Sequence, residues 1–143
     1  MAECNACLIV AGSRRPPGGE LLRFDRFVVH GLDGPSAVPA WIVITASRHV
    51  RGVYDLTESE WTAVGPLISR VMSAQRKALG AEHVYLFALG DLLHHAHLHL
   101  VPRFADTPVH LRGRGVFDAQ PADQLDVAVI ELAAESVRRA LNE

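Results

Sequence analysis

The stretch His95-Ala96-His97-Leu98-His99-Leu100-Val101 decides how this chain reads. In a β-strand successive side chains point to opposite faces, so His95, His97 and His99 share one face while Ala96, Leu98 and Leu100 share the other. One face is core; the other carries imidazoles side by side. A core histidine normally sits singly with both ring nitrogens satisfied, so a row of them points to chemistry. A single metal ion held by the whole row is excluded by geometry. With about 3.3 Å of rise per residue, His95 and His99 lie roughly 13 Å apart, and each would have to come within about 2.0 Å of the ion. The histidines therefore divide their labour, which leaves an end residue free to serve a metal while the others serve a reaction. A neutral imidazole attacks phosphorus through its lone pair and splits one difficult displacement into two steps. His97, flanked on both sides, is the best placed to do so.

Working outward, residues 95–103 and 83–89 read as strands joined around Gly90-Asp91, as a hairpin or as neighbours in a sheet. Residues 21–30 and 40–45 read as two more, the second around the β-branched run Trp41-Ile42-Val43-Ile44, with Asp33-Gly34-Pro35-Ser36 turning between them. Thr57-Glu58-Ser59-Glu60 is a capping box. It opens a helix on which Trp61, Val64, Ile68 and Val71 recur at helical spacing and which Gly80 closes. Past Pro108 the chain is loop-like. Leu125, Val129, Leu132, Ser136, Val137 and Leu141 then trace one face of a terminal helix spanning about 122–142. The expected architecture is α+β: a single domain over 1–143, an antiparallel sheet with two packed helices.

The chain has 143 residues, 49% of them hydrophobic, enough for one domain with a real core. Its formal net charge of −2 provides no basic field for a nucleic-acid polymer. No apolar stretch approaches the roughly 20 residues of a membrane helix, and no charged start precedes an apolar leader, so a cytoplasmic protein with no membrane partner is expected. Two cysteines occur, Cys4 and Cys7. Their Cys-x-x-Cys spacing favours metal binding or redox work over a structural disulfide. Because the pair lies near the start of the chain rather than between a strand and a helix, metal binding is the stronger reading.

The run His95 to Val101, followed by Pro102-Arg103, resembles the signature of the histidine triad family, His-φ-His-φ-His-φ-φ with φ apolar. The resemblance extends from Cys4 to about Phe104 through the order of elements. It implies a homodimer of α+β subunits that hydrolyses or transfers nucleoside monophosphoryl groups. It makes His97 the nucleophile, His99 a phosphate-contacting and proton-handling partner, and His95 a support for His97 or a metal ligand. It also matches Asp33 to an acidic residue that holds ribose hydroxyls; read by itself, Asp33 is equally a turn-former in Leu32-Asp33-Gly34-Pro35. Some bacterial members bind structural zinc, and the corresponding positions here are Cys4, Cys7, His49 and His95. His49 stands in Ser47-Arg48-His49-Val50, similar to the family's Pro-Lys-x-His without the proline and lysine.

The chain departs from the family pattern just before the triad. Gly90-Asp91-Leu92-Leu93 replaces the usual Gly-Gln-Ser or Gly-Gln-Thr. Asp91 repels a phosphate and Leu92 offers it no hydrogen bond. Phosphate contacts are then expected from backbone amides, from His99, or from arginines, with Arg103 foremost and Arg112, Arg114, Arg14 and Arg15 behind it. The expected function is a hydrolase or nucleotidyl transferase acting through a nucleotidyl-histidine on nucleoside phosphoramidates or dinucleoside polyphosphates. The alternatives are a nucleotide-binding module without turnover and a zinc-stabilised structural protein.

Overall fold

The computed structural model describes residues 3–143. Its centre is a five-stranded antiparallel sheet in the order β1-β2-β3-β5-β4, formed by β1 (Glu20–Phe24), β2 (Phe27–Gly31), β3 (Ile42–Ala46), β4 (His83–Phe87) and β5 (His97–Arg103). A short helix α1 (Asn5–Ala11) precedes the sheet, α2 (Glu58–Leu79) joins β3 to β4, and α3 (Val127–Leu141) ends the chain. No helix is long and apolar enough to cross a membrane among the described residues.

The stretch 21–30, expected as one strand, is a hairpin. Asp25 takes a left-handed backbone with φ 53°, and the chain reverses between Phe24 and Phe27, which pair directly. Aspartate tolerates that conformation because its short polar side chain bonds locally. Helix α1 was not legible in the sequence. The Cys4 sulfur accepts from the Cys7 amide at its start, doing the work of the usual Ser, Thr or Asp. Strand β5 starts at His97, so the two-residue alternation covers His97 and His99, while His95 belongs to the segment entering the strand.

The capping box at Thr57 forms in full, and Gly80 closes α2 with φ 73°. The buried face of α2 is rotated by one residue from the expected one. Glu60, Val64, Leu67 and Val71 are buried, while Trp61 is 46% exposed. The cause is Glu60, which turns inward to accept from the Thr57 amide at 2.8 Å and from Arg48 at 2.7 Å. On α3 the core face is likewise Ile130, Ala133, Ala134, Val137 and Leu141, leaving Val129 and Leu132 exposed. Both helices lie on the side of the sheet that carries Leu98, Leu100, Ile42 and Ile44, and these side chains make one apolar cluster. Gln75 of α2, fully buried, donates to the carbonyls of Ala40 and Leu100 and ties that helix to the sheet. With one face sealed by helices, the opposite face is left for function.

The Arg48 guanidinium, the buried setting notwithstanding, holds the Glu60 carboxyl down to about 2, assisted by the Thr57 amide and hydroxyl. A carboxyl depressed from 4.5 in the folded chain contributes stability that is complete above about pH 4.5 and is lost as pH falls towards 2. Glu60→Gln is therefore expected to lower stability by about 1–3 kcal/mol at pH 7. Chemical denaturation across pH 2 to 7, at roughly unit steps through that window, should show the acid slope shrinking in the variant. An unchanged slope would remove this ion pair from the account of stability.

Candidate active site and metal centre

Sheet register sets out the site. His97 pairs with Thr45, which pairs with Val28; His99 pairs with Val43, which pairs with His30. Directly opposed residues of an antiparallel sheet project to the same face. His97, His99, Thr45 and His30 thus share the face away from α2 and α3, and they line a cavity of about 550 Å³. Ala6 and Ile9 of α1 also line it, as do Asp33 and the loop Leu89 to Leu93.

The hydrogen bonds assign a tautomer to each ring. His97 Nδ1 lies 2.5 Å from the His95 carbonyl oxygen, which can only accept, so Nδ1 carries the proton. The neutral ring then keeps its lone pair on Nε2. Trp41 Nε1 donates to His99 Nδ1 at 2.9 Å, so neutral His99 bears its proton on Nε2, as a donor. Burial, with His97 and His30 adding repulsion, lowers the His99 pKa to about 4. Its ring also stacks on Phe87 with centroids 4.8 Å apart. His30 donates from Nδ1 to the Gly31 carbonyl at 2.7 Å and accepts the Thr45 hydroxyl on Nε2 at 2.7 Å. Burial pushes its pKa down, and it stays neutral.

His95 leaves this cavity and joins Cys4, Cys7 and His49, whose ligand atoms all lie within 4.8 Å of one another. His95 Nε2 is 2.6 Å from the Ala46 carbonyl and must donate to it, so His95 Nδ1 is a bare lone pair. That lone pair faces Cys4 Sγ at 3.4 Å, Cys7 Sγ at 3.5 Å and His49 Nδ1 at 3.1 Å. Cys7 Sγ and His49 Nδ1 are 3.2 Å apart. Tetrahedral bonds of about 2.3 Å to sulfur and 2.0–2.1 Å to nitrogen imply edges of roughly 3.3–3.8 Å, close to these separations. A carbonyl behind the ligating ring, fixing its tautomer, is the usual support of a metal-bound histidine. The donor set fits a metal ion. Burial and the neighbouring Cys4 raise the Cys7 thiol pKa, and burial lowers that of His95.

The sequence-derived residues other than the arginines fall into these two groups. Cys4, Cys7, His49 and His95 converge on the metal cluster; His97, His99 and Asp33 line the cavity. Asp33 Oδ2 accepts from Arg14 Nε at 2.8 Å. Arg103 does not join them. It stands at the end of β5 opposite His83, beyond the cluster of Val101, Val38 and Val116, about 13 Å along the strand from His99. Arg15 is engaged by Glu131, and Arg112 by the Thr107 and Ala105 carbonyls. Sequence reasoning missed His30, Thr45, Trp41 and α1. A histidine inside the apolar run Phe27-Val28-Val29-His30 was the available signal for the first.

Neither a protein-family model nor a curated protein matches the chain. Among solved structures it is similar to a hypothetical histidine triad nucleotide-binding protein of Sulfolobus tokodaii, with TM-score 0.77 and 14% identity over 97% of this chain and 92% of that one. It is similar to a Zn-bound histidine triad family protein of Mycobacterium smegmatis, with TM-score 0.72 and 20% identity over 98% of this chain and 94% of that one. A HIT family hydrolase of Clostridium thermocellum gives TM-score 0.58 and 18% identity over 76% and 96% of the two chains. The fold of this chain is the histidine triad fold.

The neutral state of His99 is open to direct measurement. Its ring should titrate near pH 4 by NMR. Trp41→Phe removes the N–H that occupies Nδ1, so protonation no longer has to break that bond, and the midpoint should rise towards the ordinary 6.5. A midpoint unmoved by the substitution would mean that burial and the neighbouring histidines set it without Trp41.

Proposed function

We propose that this chain is a histidine triad hydrolase or nucleotidyl transferase that attacks a nucleotide α-phosphate with His97. The observation that carries the proposal is the bond from His97 Nδ1–H to the His95 carbonyl, which directs the ring's lone pair to Nε2 beside the cavity. Nε2 forms a bond to phosphorus as the bond to the leaving group breaks, and the departing group takes that electron pair and a proton from solvent. Water then attacks phosphorus, the nitrogen–phosphorus pair returns to Nε2, and the water's proton passes to solvent. The products are a nucleoside monophosphate and the protonated leaving group. Neutral His99 donates from Nε2–H to a phosphoryl oxygen, preorganised by Trp41 on its other nitrogen. Asp33 holds the ribose hydroxyls at the end of the cavity where Leu32 and Asp33 lie.

The metal of the second cluster is proposed to be zinc, held by Cys4, Cys7, His49 and His95, and its contribution is structural cross-linking. His95 is a positioning residue: its side chain sits in the cluster while its carbonyl orients His97. The same cluster anchors α1, so Ala6 and Ile9 stay in the cavity wall. The homodimer implied by the resemblance belongs to this proposal, and sedimentation mass tests it.

A second reading is favoured by one observation. Asp91, Leu92 and Leu93 line the cavity where donors to phosphate would help turnover. A nucleotide-binding module without catalysis would be stabilised thermally by nucleoside monophosphates yet turn over none of a phosphoramidate and dinucleoside polyphosphate panel.

For the enzyme, His97→Ala should abolish turnover with the fold retained, and mass spectrometry of quenched wild-type reactions should place a nucleotidyl group on His97. Full activity in the variant would sink the assignment. Metal analysis of the purified protein should find about one zinc per chain. Cys4→Ser with Cys7→Ser should lose the zinc and lower Tm, whereas an equal metal content in both proteins would reassign the cluster.

A further inference from the structure

His97 borders a second, smaller cavity of about 130 Å³ as well as the large one. His97, Leu89 and Gly90 line both, so the cavities meet at the nucleophile. Their charges are opposite. The large cavity is lined by the carboxylates of Asp33 and Asp91 and by no lysine or arginine among the described residues. The small one is lined by Arg51 and the phenol of Tyr54 and by no carboxylate. Arg51 has no ion-pair partner among the described residues, whereas Arg14, Arg15, Arg48 and Arg138 are each held by an acid.

Arg51 stands on a segment that is fixed on both sides. The carbonyl of Val50 accepts from the Ala96 amide at 2.7 Å, one residue from His97. Arg48 donates to the Asp55 carbonyl at 3.2 Å and to Glu60 at 2.7 Å, closing the loop that contains Arg51. Between them the Tyr54 ring lies on Gly52, where a Cβ would come within 2.4 Å of it. Only glycine leaves room for that ring.

We infer that the small cavity is a leaving-group subsite for a phosphate, with Arg51 as the residue that selects a polyphosphate leaving group over a neutral amine. The inference rests on the nucleotidyl-transfer reading above. With the nucleoside in the large cavity and its α-phosphate at His97, the next substituent on phosphorus passes Gly90 into the small one. A β-phosphate there meets a guanidinium fork that suits its oxygens. In the large cavity it would meet the carboxylate of Asp91, and Asp33 already paired with Arg14. An uncharged amine gains nothing from Arg51. The unusual Gly90-Asp91-Leu92-Leu93 segment then loses less than its composition suggests, because the phosphate cation comes from the β3–α2 loop.

The test compares wild type, Arg51→Ala, Arg51→Lys and, as a control on the far face of α2, Arg76→Ala. Calorimetric titration with AMP and ADP reads the β-phosphate without turnover, and kcat/KM is compared for diadenosine triphosphate and adenosine phosphoramidate. ADP should bind wild type more tightly than AMP, and Arg51→Ala should reduce that preference about tenfold or more. Arg51→Lys should restore part of it, and Arg76→Ala should keep it. The kcat/KM ratio of the two substrates should fall in parallel. If AMP binds and the ADP preference is the same in wild type and Arg51→Ala, the subsite is wrong while the nucleotide site stands. If wild type binds neither nucleotide, the nucleotidyl-transfer reading fails and the subsite fails with it.

Discussion

The short hydrogen bond from His95 Nε2 to the Ala46 carbonyl, 2.6 Å long, is the constraint on which both sites depend. It seats the segment before β5 against the end of β3, alongside the Ala46 amide bonded to the Ala96 carbonyl at 3.0 Å. With the Nε2 proton committed, His95 turns a bare nitrogen to Cys4, Cys7 and His49. Held in that pose, the His95 carbonyl accepts from His97 and determines which nitrogen of the next imidazole keeps its lone pair. One residue thereby links the cysteine–histidine cluster to the imidazole proposed as nucleophile. The coupling is local and rigid, because backbone carbonyls and paired strands move little relative to one another.

The cavity has two differently built ends. At one, Asp33 sits with Arg14 on one carboxylate oxygen, and Ile9 and Leu32 provide apolar walls for a flat ring. At the other lie the imidazoles of His97, His99 and His30. His99 is kept neutral by burial, and its tautomer is chosen by Trp41. Such preorganised neutral donors stabilise developing negative charge without cost at the moment of reaction.

Much of the fold was legible because its signals are local. The capping box at Thr57 and the glycine at 80 bounded α2 within its own few residues, and the run at 42–45 had the composition of a buried strand. The errors came from long-range partners. Glu60, held by the Thr57 amide and by Arg48, is buried where Trp61 is exposed. The hairpin within 21–30 hid because Asp25-Arg26 is a weak turn signal between two apolar runs. In α1, a cysteine took the capping place of a residue that sequence rules would recognise.

The sequence by itself determined the chemistry: the alternating histidines of β5, the Cys-x-x-Cys pair and Asp33, since residue type and short spacing carry that information directly. Tertiary structure built the division of labour that the spacing had implied. Register placed His97 and His99 over Thr45 and His30, while the start of β5 at His97 released His95 to the cysteines. It also exchanged one arginine for another. Arg103 follows the triad in sequence but stands beyond an apolar cluster, whereas Arg51, remote in sequence, is bound next to His97 through the Val50 carbonyl. Proximity along a strand falls off at about 3.3 Å per residue, whereas a paired backbone brings distant segments to within a hydrogen bond.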